Sequence, residues 1–261
     1  MNQTINPSVY ANVEQLSKEF QNAQPYSYLV IDNFLDETIA NKLIEDFPKV
    51  EEMPKSRDYM FGNKHELSSL QKSSPYSKIL FEEIASNEFQ SFISKVTGEN
   101  LFLDVQFHGG GFHQGTNGSF LNMHTDFNIH PEHKTWLRRL NLLIYLNKDW
   151  KPEYGGELRL RLGKDGEITA IPPNFNRCVI MRSDDTTFHG YQKINLPPQV
   201  TRKSIAAYFY RQEVPENLPS QKTTIWDPED GVVFKRVLAT VYNPLVLIKN
   251  RFLGSSTARN R

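Results

Sequence analysis

Hydrophobic and polar positions change their period near residue 100. Before that point two stretches repeat at helical spacing. Asp36 offers N-cap chemistry for a helix over 37–47 that Pro48 stops. Ser86-Asn87-Glu88 opens a second helix, in which Phe89, Phe92, Ile93 and Val96 recur at i, i+3, i+4 and i+7 until Gly98 closes it. The β-branched run Tyr28-Leu29-Val30-Ile31 predicts one strand ahead of both. Residues 49–73 are polar and weakly patterned, which predicts a mobile loop.

Past residue 100 the text turns to short apolar or alternating runs, at 101–108, 120–123, 137–146, 157–162, 167–171, 177–181, 188–194 and 202–211. Turn chemistry separates them, including Gly109-Gly110-Gly111, Gly155-Gly156, Pro172-Pro173 and Pro197-Pro198. Eight short strands so punctuated predict a mainly β fold with flanking helices, a sandwich or jelly roll. The expected organisation is an N-terminal helical support region with one strand over 1–100, part of the same domain as a β core over 101–212. A C-terminal extension, basic and apolar, occupies 213–261.

Composition narrows the function classes. Lys+Arg 30 against Asp+Glu 30 leaves no net charge, so no overall field recruits nucleic acid, and no nucleic-acid partner is expected. The balance is uneven, however. Six basic residues and no acidic one lie between Gly231 and Arg261, so by subtraction the first 230 residues carry −6. Packing of that tail on the domain or in a homodimer is the expectation, with docking on a partner or on anionic lipid as alternatives. Cys178 is the only cysteine, so an intrachain disulfide is out, and its apolar neighbours predict a buried strand. A reducing cytoplasm suits it. The N-terminus lacks the pattern of a secretory signal and no run is long and apolar enough for a transmembrane segment.

The chemistry is carried by His124-x-Asp126 and by His189, each in or beside a strand-like run. Residues i and i+2 of a strand share a face, so His124 and Asp126 can ligate one ion. A third ligand from His189 leaves positions open, which suits Fe(II) with a cosubstrate. Structural zinc is the competing metal, but it favours four closed ligands and often thiolates. The pair His130 and His133 reads as a solvated loop around Pro131. Arg202 heads an apolar strand, so its guanidinium needs a planar anion such as a carboxylate. Ser204 shares its face, and Tyr145 can pack its ring while its phenol reaches a polar group. Gly190, next to His189, is expected to leave room beside the metal.

These residues, with Ile144-Tyr145-Leu146-Asn147 leading to Gly155-Gly156-Glu157-Leu158, resemble the Fe(II)/2-oxoglutarate-dependent dioxygenases of the prolyl-4-hydroxylase-like branch. The likeness spans about 101–212. It implies a double-stranded β-helix (jelly roll, cupin-like) catalytic core with iron on His124, Asp126 and His189. It also implies 2-oxoglutarate held at its far carboxylate by Arg202 and Tyr145, with O₂ as second cosubstrate and ascorbate as an optional addition. The implied reaction hydroxylates an aliphatic C–H bond with release of succinate and CO₂. A carboxylate at Asp126 disfavours halide transfer. Two departures fall where substrate would be gripped: His113-Gln114-Gly115 stands where that branch often has a tyrosine, and the segment 127–136 is longer. The expected substrate is therefore a prolyl or other amino-acid-like group, peptidyl or free. A small metabolite unrelated to proline is the alternative, and a non-catalytic jelly-roll binding module a further one. Arg138 and Arg139, with His130 and His133, read either as a solvated charged face or as a loop selecting an anionic substrate.

Overall fold

The computed structural model describes residues 3–53 and 55–229. The basic stretch from Gly231 to Arg261, and the packing expected of it, lies outside them. Helices α1 (Pro7–Ala11), α2 (Val13–Asn22), α3 (Glu37–Glu45), α4 (Leu70–Ser73), α5 (Pro75–Ile84) and α6 (Asn87–Thr97) precede most of the strands. The strands are β1 (Tyr28–Ile31), β2 (Lys55–Tyr59), β3 (Gly62–Leu67), β4 (Phe102–Leu103), β5 (Gly111–Gly115), β6 (Phe120–Thr125) and β7 (Trp136–Tyr145). They continue with β8 (Leu158–Leu162), β9 (Thr169–Ile171), β10 (Arg177–Arg182), β11 (Thr187–Tyr191), β12 (Arg202–Gln212) and β13 (Ile225–Asp227). Asp36 caps α3 by accepting the amides of Thr38 and Ile39, and Gly98 ends α6 at φ 73°.

One antiparallel sheet runs β1-β10-β7-β12-β5-β3-β6-β11-β8-β9, with β13 on β6. It is curled. Side chains of β7 and β12 and those of β6 and β11 line a single cleft, so the two wings of the sheet face each other, joined through β3. This is the jelly-roll core that the strand spacing predicts.

The period of two along β7 and β12 sorts the core from the cleft. Leu140, Leu142 and Ile144, with Ile205, Ala207 and Phe209, turn outward and bury against Phe34, Leu43, Leu80, Phe89 and Ile93 of the helical layer. Cys178 of β10 lies in the same layer, and burial pushes its thiol pKa up. Each such aliphatic side chain contributes about 1.5–3 kcal/mol by leaving water. The alternate residues Asn141, Leu143, Tyr145, Arg202, Ser204 and Tyr208 face the cleft.

Two readings of the N-terminal half and the glycine turns change. Residues 49–73 are not a plain loop: they carry β2 and β3, and β3 joins the two wings of the sheet. Its cleft-facing residues Lys64 and Glu66 are buried although charged, so no hydrophobic alternation advertises the strand. β5, set between glycines that read as turns, pairs with β12 on one side and β3 on the other. Gly111 is required there: its φ is +89° and a Cβ would sit 2.3 Å from the Leu67 carbonyl oxygen.

Candidate metal centre and cleft

His124 is the fifth residue of β6 and Asp126 follows the strand's last residue; His189 on β11 lies directly across from His124 in register. One ligand atom from each of the three falls within 4.8 Å of the others. His124 Nδ1 lies 2.9 Å from the Asn122 carbonyl oxygen, so it donates there and Nε2 is the unprotonated nitrogen. His124 Nε2 stands 3.8 Å from Asp126 Oδ1, and His189 Nε2 stands 3.6 Å from Oδ2. Two imidazole nitrogens and one carboxylate oxygen, converging on a cleft with positions left over, fit a ferrous ion and leave room for a chelating cosubstrate.

Electrostatics favour the ligating forms. Burial would raise the Asp126 carboxyl, but the Arg138 guanidinium, the two imidazoles and the Asn141 amide outweigh it and hold the carboxyl well below the usual range. Burial lowers His189, against the pull of Asp126 and with help from Arg138.

Sequence reasoning missed the group that holds Asp126. Arg138 Nη2 is 3.0 Å from Asp126 Oδ2, and Asn141 Nδ2 donates to the same oxygen at 2.7 Å. Arg138 also donates to Asn141 Oδ1 through Nε (3.0 Å) and Nη2 (2.8 Å), which ties the two together. Its guanidinium lies 3.5 Å from the Tyr208 ring centroid and 4.9 Å from that of Phe127. In β7 the positions 138 and 141 should face opposite ways. The pairing with β12 slips between Phe209↔Leu140 and Tyr210↔Arg138, leaving Arg139 as one extra residue. That bulge lets Arg138 and Asn141 both point into the cleft. Arg139 turns away to Glu99, at 2.8 and 2.9 Å. The solvated-face reading of Arg138 is thus overturned, since it is 2% exposed. His130 lies in a loop, but the solvated part of that reading fails: the ring is fully buried, accepts the amides of Glu132 and His133, and lies 3.5 Å from Asp104.

The other end of the cleft is built around Arg202. Its Nε donates to the Gly156 carbonyl at 2.8 Å and its Nη2 lies 3.4 Å from the Tyr145 hydroxyl. The guanidinium stands 4.2 Å from the Tyr191 centroid and 5.0 Å from that of Tyr145. Among the described residues no carboxylate pairs with it. Gly156, at φ +75°, is demanded by this packing, since a Cβ would reach Ile194 at 2.5 Å and the Arg202 Cδ at 3.2 Å. Gly190 serves a different purpose from the one expected: its missing Cβ makes room for the β6 backbone, 2.6 Å from the Leu121 carbonyl oxygen, and not for the metal.

Between the ends, the register draws one row across four strands, Tyr145–Ser204–His113–Glu66. Lys64 Nζ lies 2.7 Å from Glu66 and 3.2 Å from His113 Nδ1, so this wall carries both signs of charge. Tyr191 had a readable signal, standing two residues past His189; Lys64 and Glu66 had none. The cleft is partly open to solvent, and both the His124–Asp126–His189 group and Arg202 line it.

Residues 110–210 match the family model of the 2OG-Fe(II) oxygenase superfamily. Among solved structures the chain is similar to a Pseudomonas putida prolyl-4-hydroxylase, at 17% identity and TM-score 0.55 over 78% of this chain and 99% of that one. It is similar to a Trichoplax adhaerens prolyl hydroxylase in complex with a hypoxia-inducible-factor peptide fragment, at 18% and 0.55 over 80% and 96%. It is also similar to a Phytophthora capsici prolyl 4-hydroxylase, at 16% and 0.54 over 93% and 77%. At these identities the likeness is one of fold. No curated protein sequence matches the chain. No described helix is long and apolar enough to cross a membrane.

Proposed function

We propose that this oxidoreductase, whose core is that of the 2OG-Fe(II) oxygenases and takes Fe(II), 2-oxoglutarate and O₂, hydroxylates an aliphatic C–H bond of a small amino-acid-like substrate. The observation that carries the reading is one cleft with a His-Asp-His triad at one place and, at another, a buried guanidinium that no carboxylate among the described residues pairs with. Fe(II) with 2-oxoglutarate and O₂, when bound, supplies the oxidant that leaves hydroxyl on the substrate and succinate and CO₂ as co-products.

The chain's own residues bind, orient and exclude water. His124, Asp126 and His189 hold the ion. Arg202 takes the distal carboxylate of 2-oxoglutarate through the nitrogens that Gly156 and Tyr145 leave available, with the phenol of Tyr145 and the hydroxyl of Ser204 as further donors. Burial keeps Tyr145 and Tyr191 protonated by raising their pKa, against the lowering effect of Arg202. Leu143, Leu158 and Met181 line the same space and keep it dry.

Lys64 and Glu66 are paired with each other on the cleft wall, and a zwitterion that opened the pair would find one partner for each of its charges, which suits an amino-acid-like substrate. Peptidyl proline is the second reading, supported by the fold shared with prolyl hydroxylases. Anaerobic addition of Fe(II) and then 2-oxoglutarate should give a weak visible charge-transfer band, and free amino acids should stimulate succinate release. A folded chain that shows neither band nor 2-oxoglutarate binding would falsify the oxygenase reading; stimulation by peptides alone would move the substrate to the second one.

A further inference from the structure

The chain continues past the matched core, and its described part returns to the metal centre. β13 pairs antiparallel with β6 in the register Ile225↔Thr125, Trp226↔His124, Asp227↔Met123, so a strand from outside the core lies alongside the one that carries His124. It is fastened at both ends. Before it, Asn128 donates to the Ser220 carbonyl at 2.9 Å and accepts the Lys222 amide at 2.7 Å. After it, Asp227 pairs with Arg161, and Glu229 with Arg159, both arginines standing on β8. Trp226, 4% exposed, sits between two rings: that of Phe61 at 5.2 Å and 13°, and that of His124 at 4.8 Å and 31°.

We infer that Trp226 is a positioning residue for His124, and that the 220–229 strap is a working part of the metal centre supplied from beyond the family core. The inference rests on the reading of His124 as a metal ligand. The hydrogen bond from Nδ1 to Asn122 sets the tautomer of His124, and the His189 ring stands 4.3 Å from it. The indole face is a further wall against tilting of the ring, and Phe61 backs the indole, so Nε2 is held toward Asp126. The strap also takes the edge of β6 beyond the end of its pairing with β3, so backbone groups beside the ligands are paired within the chain and not to a bound peptide.

Co(II) binding to the full chain tests this, read by its visible bands and by tryptophan emission. In the wild type, Co(II) is expected to quench emission, with Trp226 the responder among three tryptophans. Trp226→Phe keeps a ring on His124, so affinity should stay near wild type while the quench falls away. Trp226→Ala should bind Co(II) roughly tenfold more weakly, with altered bands. Arg161→Gln frees Asp227 while leaving the Trp226 and His124 side chains unchanged and should weaken Co(II) binding in the same direction, which keeps the inference testable if the alanine variant does not fold. Wild-type Co(II) affinity and bands in folded Trp226→Ala, or in Arg161→Gln, would overturn it. A wild type that takes up no Co(II) would sink the metal reading itself, and this inference with it.

Discussion

Two arginines are buried in the same cleft and have opposite meanings. Arg138, 2% exposed, is spent on a carboxylate of its own chain, Asp126 at 3.0 Å, and packs on the rings of Tyr208 and Phe127. Arg202, 6% exposed, meets a carbonyl, a phenol and two aromatic faces but no acid among the described residues. A buried cation with its counter-ion in place is architecture. One without it fits the anion-receiving role proposed for Arg202, because the desolvation of the guanidinium would be offset when that anion arrives.

Substitutions should pull the two apart. The largest effect is expected from Arg202→Gln: 2-oxoglutarate loses a buried charge partner, which costs about 3 kcal/mol, roughly a hundredfold in KM for 2-oxoglutarate. Metal affinity should not move, and comparable losses of both would break the contrast. Arg138→Leu should do the reverse, weakening Fe(II) or Co(II) binding about 10–100-fold through loss of Asp126 orientation while leaving KM for 2-oxoglutarate near wild type at saturating metal. Asn141→Ala tests the same side more gently, since Arg138 still reaches Asp126; a drop of a few-fold in metal affinity is expected.

Gly156→Ala sharpens the other side. The new methyl meets Ile194 and the stem of Arg202 in a left-handed backbone, so 1–2 kcal/mol of strain, about tenfold in KM, is expected. Unchanged steady-state kinetics would show that Arg202 has slack. The smallest effect concerns the segment behind Arg138. Burial raises the Asp104 carboxyl, but His130 and the amides of His108 and Gln106 outweigh it, so its folded pKa is lowered. A depressed carboxylate stabilises above the unfolded value near 3.9, and the contribution is lost as pH falls through the folded one. Asp104→Asn should therefore cost about 1 kcal/mol at pH 7 and nothing at the acid end, measured by urea unfolding across that range.

How much of this was legible varies residue by residue. Helices α3 and α6 stood out because their caps and apolar spacing are local, and the β7 and β12 runs because one face of each is continuous core. β3 and β5 were hidden, one because its charged residues face a cleft, the other because its glycines read as turns. The row from Tyr145 through Ser204 and His113 to Glu66 joins four strands drawn from widely separated parts of the chain, and no local signal announces it.

By itself the amino-acid order determined what is short-range: strand and helix periods, the His124–Asp126 spacing on one strand end, and the apolar setting that makes Arg202 costly to bury. Tertiary structure alone decided which arginine is satisfied, that His189 lies across from His124, and that a strap from beyond the core covers the site. The physical reason is register. Pairing between distant strands, and one extra residue at Arg139, choose which side chains share a face, and that choice depends on the whole sheet closing at once.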